Sequence, residues 1–370
     1  MPQHLTQFVR PSVHRGLCLL ALLTLLGSFG CAGRSAFDAL PAPLGPERIA
    51  PELTHEHARE LPMFRGRDGA PIGWGDLMSA VARADVIMLG EQHDDALGHE
   101  VQRVILTDAL AARPRGYALS LEMLERDEQI LVDDFLEGII DQPTFVRLTH
   151  SANWAGEGSW NAWYQPIIDV AMEAGAPVIA ANAPRRYVRL ARTDGYDRLD
   201  RLPRERRAFF DRPKRLPEDA YRDRFFALMG SMSHGEHVMD ESRIEAIFRS
   251  QMVWDATMAA SIVRAQRRHG RAIVHLVGQF HSDFEGGIVT ELRRRAPGMR
   301  ILTVSMQRRD EHALQEEDIG RADIVIHTGA RPEPEIEEGD EDEAESEAAS
   351  DDEVDGEPAD VEPLEVAPHW

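Results

Sequence analysis

Short apolar runs alternate with amphipathic stretches across the middle of the chain. The runs cover residues 85–90 (DVIMLG), 117–123 (YALSLEM), 177–182 (PVIAAN), 272–278 (AIVHLVG), 300–305 (RILTVS) and 323–328 (DIVIHT). Helical patterns lie between several of them, over residues 99–112, 127–137, 163–175 and 284–295. Apolar strands separated by amphipathic helices predict an α/β fold, a mostly parallel sheet flanked by helices on both faces. Ahead of the first run, WGDLMSAVARA predicts an opening helix, and the MFRGRDGAPIG stretch before it predicts a small hairpin.

Residues 184–270 contain no strand-like run. The pattern there predicts a helical insertion between the third and fourth core strands, ending in a long helix. Asp240 is placed to cap that helix and Gly270 to end it. Its apolar stripe reads Ile244, Ile247, Phe248, Trp254, Met258 and Ile262. No internal repeat is evident.

Charge changes the picture at the ends. The formal net charge is −23, but residues 332–370 hold 18 Asp or Glu and no Lys or Arg. The rest carries 46 acidic and 41 basic side chains, a balance of only −5. The tail cannot bury enough apolar surface to offset its ordering entropy, so disorder is expected there. Lys214 is the sole lysine; the arginines are scattered and interleaved with acids, which speaks against nucleic-acid binding.

At the other end, Arg10 and Arg15 precede GLCLLALLTLLGSFG, an apolar run short for a membrane span and right for a secretory signal. The run stops at Cys31 in a loose lipobox, GSFGC. Either Cys31 is lipidated, giving an anchored envelope lipoprotein at the outer membrane or in the periplasm, or ordinary signal cleavage occurs nearby. Cys18 falls in the removed segment, so the mature chain has no internal disulfide. The expected organisation is a signal over 1–31, a tether over 32–46, one α/β domain over 47–331 with its insertion at 184–270, and the acidic tail over 332–370.

In an open parallel sheet, ligands bind beyond the carboxyl ends of the strands. Four strand ends carry polar residues here. Glu91 and His93 follow the first run, Glu122 ends the second, Asn182 ends the third with Arg185 and Arg186 behind it, and His281 follows the fourth. Each has a plainer alternative. Glu122 could be the partner of a buried arginine, and Asn182 or His93 could cap a helix. His281 could be a satisfied loop histidine, and His99 reads as solvated or as a support to the site. Gly90 and Gly278 are expected to let the backbone turn where strand meets loop. A second cluster, SANWAGEGSWNAWYQPI, supplies Trp154, Trp160, Trp163 and Tyr164. It reads either as core or as a flat wall for a planar ligand, with the Tyr164 phenol a candidate iron ligand or a buried hydroxyl. The Met- and His-containing loop around His234 and His237 reads as cofactor contact or as loop filling.

LGEQHDD with His99 and Gln102, LEML, WNAWYQPI, VIAANAPRR, RSQMVWDATMAASI and VGQFH, in this order, resemble the ChaN-like haem-binding lipoproteins. That family lies within a wider group containing Tiki-type proteases and erythromycin-esterase-like proteins. The resemblance spans residues 62–327. It implies an anchored envelope protein that binds haem, in some members between two subunits, and serves iron acquisition. Position by position it implies Tyr164 as a haem ligand, with Glu91, His93, Glu122 and His281 as the wider group's polar quartet.

Two functions follow. In the first, haem is held noncovalently, since no C-x-x-C-H is present. Tyr164, His93 or His281 would be the axial ligand, Trp160 and its neighbours the wall, Asn182 a polar contact, and Arg185 or Arg186 the propionate partners. In the second, Glu91, His93, Glu122 and His281 bind a divalent metal or act as general base and orienting acid, giving an ester or peptide hydrolase.

Overall fold

The structure, a computed structural model, describes residues 56–231 and 239–329. The signal segment, tether, acidic tail and the His234–His237 loop therefore lie outside the described residues.

All six predicted strands form, joined by the two short strands of the expected hairpin. In chain order they are β1 (Met63–Arg65), β2 (Pro71–Ile72), β3 (Val86–Glu91), β4 (Tyr117–Glu125), β5 (Val178–Asn182), β6 (Ala272–Gly278), β7 (Ile301–Gln307) and β8 (Ile324–His327). The sheet order is β2-β1-β8-β7-β3-β6-β4-β5. From β5 to β8 every pairing is parallel, and only the hairpin at the far edge runs antiparallel. Each central strand is buried along its whole length because helices cover both faces.

Side-chain alternation sorts the core into two layers. Ile87, Leu89, Leu119, Leu121, Val274 and Leu276 face the helices Trp74–Arg83, Ala96–Ala112 and Gln165–Glu173. Val86, Met88, Ala118, Ile273 and Val277 face the helices Glu241–His269 and Gly287–Arg295. The predicted insertion thus contributes the long helix of the second layer: its last helix is the crossover that returns the chain from β5 to β6, and Gly287–Arg295 completes the layer. Asp240 caps it, accepting from the Arg243 N–H at 2.8 Å, and Gly270 ends it with φ 62°. Ile244, Phe248, Met258 and Ile262 of the predicted stripe are buried. The helix Gln142–Thr149, whose hydrophobic residues are few, and the short helix Glu56–Glu60 were not foreseen from the sequence.

An ionic knot ties the insertion down. Asp211 meets Arg126 at 2.9 Å, Arg264 at 2.6 Å and Arg295 at 3.2 Å. Burial pulls the Arg126 pKa down to about 10, so the guanidinium depends on that carboxylate. No helix among the described residues is long and apolar enough to cross a membrane.

Candidate functional site

The carboxyl ends of β3, β6 and β4 lie side by side, and each delivers an ionisable group. β3 and β6 are in register there, Glu91 opposite Gly278. Glu91 continues the Ile87 and Leu89 side of β3, so its carboxylate enters the first helical layer. It accepts from Tyr164 Oη at 2.7 Å and Gln102 Nε2 at 2.7 Å, and pairs with His93 Nδ1 at 2.9 Å. His99 Nδ1 lies 3.6 Å from its other oxygen. Burial would raise the Glu91 pKa, but the His99 and His93 charges and the Gln102 bond outweigh it and hold the group ionised.

Glu122 belongs to the other side of the sheet. Its Oε2 accepts from the Gly278 N–H at 2.7 Å, and Oε1 lies 3.5 Å from His281 Nε2. His281 Nδ1 meets Asp255 Oδ1 at 2.5 Å, and Asp255 Oδ2 accepts from Tyr221 Oη at 2.9 Å. The imidazole is held between two carboxylates. Burial alone would lower its pKa, yet Glu122 and Asp255 raise it to about 10. Burial likewise opposes ionisation of Glu122, but His281 brings its pKa down to about 2. Close backbone approach makes room for these groups. A Cβ on Gly90 would sit 2.9 Å from Ser282 Oγ, and one on Gly287 would sit 2.0 Å from Asp255 Oδ2. Gly90 is therefore a packing requirement inside β3, where a turn was expected.

The quartet therefore meets at one rim, as two bonded clusters on opposite faces of the sheet. Among the described residues no group of three or more His, Cys, Asp or Glu side chains is arranged to hold a metal ion. The divalent-metal expectation has no ligand set in this geometry: Glu91 is spent on Tyr164 and Gln102, and Glu122 on the Gly278 N–H.

Two spaces open at this rim. A chamber of about 30 Å³, room for a water-sized body, is lined by Glu122, Trp154, Asn182, Arg185, Gln251 and His281. Trp154 also lines a cleft of about 1010 Å³. His93, Phe280 and Phe284 line it, with Arg224, Arg308 and Arg321.

Comparison with known proteins places the chain. Residues 77–292, more than half of it, match the profile of the family described as haem-binding uptake, Tiki superfamily, ChaN. The chain belongs to that family. The fold is similar to that of a solved structure, cofacial haem binding to ChaN of Campylobacter jejuni. That protein is 18% identical, with a TM-score of 0.56 over 72% of this chain and 96% of its own. The type III effector HopBA1 also aligns, at 12% identity and a TM-score of 0.41 over 74% of this chain and 98% of its own. A comparison with curated protein sequences gave no match.

Within this ChaN-family fold, several expected site residues take other roles. Tyr164 is fully buried, and burial together with the Glu91 charge keeps its phenol protonated well above the ordinary tyrosine range. It is a donor to Glu91 and is not offered to the cleft. Trp160 is also fully buried, its indole N–H donating to Gln165 Oε1 at 3.1 Å, so it is core and walls nothing. The chain from Trp160 to Tyr164 is wound as a π-helical turn leading into a helix with Pro166 in its first turn, which cannot donate to a carbonyl one turn back. Arg185 and Arg186 lie outside the cleft. Arg186 pairs with Asp127 and Glu125, and Arg185 stacks over Trp154 at 4.9 Å. Asn182 reaches the small chamber, its Oδ1 bonded to the Ala183 N–H; the helix behind it is capped by Glu125, which accepts from the Arg185 N–H at 2.9 Å. His99 is buried, correcting the solvated reading, and supports the site: Nε2 meets the His93 carbonyl at 3.0 Å and Trp163 stacks on the ring.

Sequence reasoning missed Asp255, Gln251 and Tyr221. An acid inside an apolar helical stripe, WDATMAAS, was the available signal for Asp255, since such a position is costly unless the group is paired.

Proposed function

We propose that the protein binds haem noncovalently in the 1010 Å³ cleft, with His93 as the axial ligand. The observation that carries this is the His93–Glu91 pair on the cleft wall. A ligating imidazole ordinarily gives its second N–H to a carboxylate, which fixes the tautomer and raises the ring's basicity. Among the described residues, His93 is the histidine that lines the cleft. Membership of a haem-binding family and the haem bound by the Campylobacter protein support the reading.

The cleft also suits the group. Its volume is at the upper end of the roughly 300–1,000 Å³ typical of cofactor sites. Phe280, Phe284, Trp154 and Leu228 offer apolar faces to a macrocycle. Burial of such a surface is worth roughly 25 cal/mol per Å². When bound, haem supplies iron with an open coordination chemistry; the chain's own part is to bind, orient and shield it. His281 has no place in this step, because Asp255 and Glu122 enclose it. Held as an imidazolium, it is also unsuited to serve as a general base near neutral pH.

Export by the N-terminal signal and anchoring at Cys31 complete the proposal, placing the protein in the cell envelope in haem or iron acquisition. Loss of palmitate labelling in Cys31→Ala tests the anchor. Titration with hemin tests the site. A saturable Soret change that is shifted or lost in His93→Ala is expected. No saturable change in the wild type would overturn haem binding, and an unchanged Soret band in His93→Ala would overturn the ligand.

A further inference from the structure

Three arginines line the cleft, and their surroundings differ. Arg308 is paired with Asp94 at 2.6 Å. Arg321 is paired with Asp283 at 2.6 Å and Asp318 at 2.7 Å. Arg224, on the helix Ala220–Ser231, has no carboxylate within ion-pair reach among the described residues. Its Nη2 donates to the Asp283 carbonyl at 2.9 Å, and its guanidinium lies over Phe284 at 5.0 Å and Tyr221 at 5.8 Å. It is half-buried. The acids of the cleft wall are already committed: Glu91 to Tyr164, Gln102 and His93, Asp94 to Arg308, and Asp283 to Arg321. Among the described residues, the Arg224 charge therefore faces the cleft without a carboxylate partner.

The wall that holds it is built at a conformational cost. Phe284 and Glu285 adopt φ of 53° and 57°, in the left-handed region that residues with a Cβ rarely enter. Phe284 N donates to the Arg321 carbonyl at 2.6 Å, and the guanidinium carbons of Arg224 and Arg321 lie 5.0 and 4.8 Å from its ring. This arrangement fixes the plane of Arg224 before any ligand arrives, so little rotamer freedom is lost when it engages one.

We propose that Arg224 receives a free carboxylate of the bound tetrapyrrole and so makes the cleft selective for porphyrins with ionised propionates. This deepens, and rests on, the haem reading above. A planar guanidinium matches a carboxylate in two parallel N–H···O bonds, which a neutral ester cannot accept as a charged partner.

The test is a titration of the full chain with hemin and with hemin dimethyl ester, in the wild type and in Arg224→Gln. The wild type is expected to bind hemin about tenfold or more tightly than the ester, the low end for one charge-assisted contact. Arg224→Gln should lose that preference while its affinity for the ester stays unchanged, which also shows that the variant is folded. Arg186→Gln, outside the cleft, should keep both affinities. Equal binding of the two porphyrins by the wild type, or a preference that survives in Arg224→Gln, overturns this assignment alone. Absence of any hemin binding overturns the haem reading and this assignment together.

Discussion

Replacing Tyr164 by Phe separates a structural tyrosine from an iron ligand. The substitution removes one hydroxyl and leaves the ring in its packed position between Trp160 and His99. What is lost is a 2.7 Å bond from a neutral donor to a buried carboxylate. Hydrogen bonds to charged groups contribute about 1.5–3 kcal/mol. Glu91 keeps Gln102 Nε2, His93 Nδ1 and the nearby His99 after the change, so the cost falls at the low end, about 1.5–2 kcal/mol. At this domain size each kcal/mol lowers Tm by about 2–4 °C, giving a fall of about 3–8 °C. Thermal and urea unfolding followed by tryptophan fluorescence measure this, and a hemin titration is run on the same samples. Lower stability with an unchanged Soret band is expected. Unchanged stability combined with a lost or displaced Soret band would refute it, because the phenol would then be acting on iron and not on Glu91.

Other consequences follow from the same geometry. Glu91→Ala strands three donors, Tyr164 Oη, Gln102 Nε2 and His93 Nδ1; at about 1–3 kcal/mol each, unfolding measurements should show a loss larger than that of Tyr164→Phe. Asp211→Ala leaves Arg126 without its counter-charge and should cost about 2–4 kcal/mol, less than a wholly buried pair because Asp211 is partly exposed, with the difference read from urea midpoints. Two buried histidines change stability in opposite directions on either side of pH 6.5. Above it, the contribution of His281, whose folded pKa is raised to about 10, is lost as pH rises through that value. Below it, burial holds the His275 pKa down at about 4, so the unfolded chain takes up the proton first and stability falls as pH drops from 6.5 toward 4. The Glu122 contribution is lost lower still, from pH 4.5 toward 2. Urea midpoints across pH 3–10 for the wild type, His281→Gln and His275→Gln check these contributions, and the same pH dependence in all three would contradict them.

The fold was legible because its signals are local. Short apolar runs such as residues 85–90 and 272–278, rich in branched side chains and ending at glycine, read as strands buried on both faces, and Asp240 and Gly270 mark the limits of the long helix within the chain itself. The meeting of Glu91, His93, Glu122 and His281 at one rim was also legible, since strand ends converge in a parallel sheet. Their division between two faces was not drawn out, although alternation implies it once Glu91 is aligned with Leu89 and Glu122 with Ser120. Roles that depend on tertiary partners stayed hidden. Tyr164 and Trp160 read equally well as ligand, wall or core until their burial is known, and Asp255 gains its role only when its helix crosses the sheet beside His281. Arg185 and Arg186 looked like the propionate partners because they follow a strand end. The acids Glu125 and Asp127, far from them in sequence, claim both.

A crystal structure of the hemin-loaded protein with the anomalous signal of iron located tests the central claim most directly. An iron peak is expected in the cleft, within coordination distance of the His93 imidazole, with the macrocycle against Phe280 and Phe284. A peak bonded to Tyr164 or His281, or outside the cleft, would contradict it.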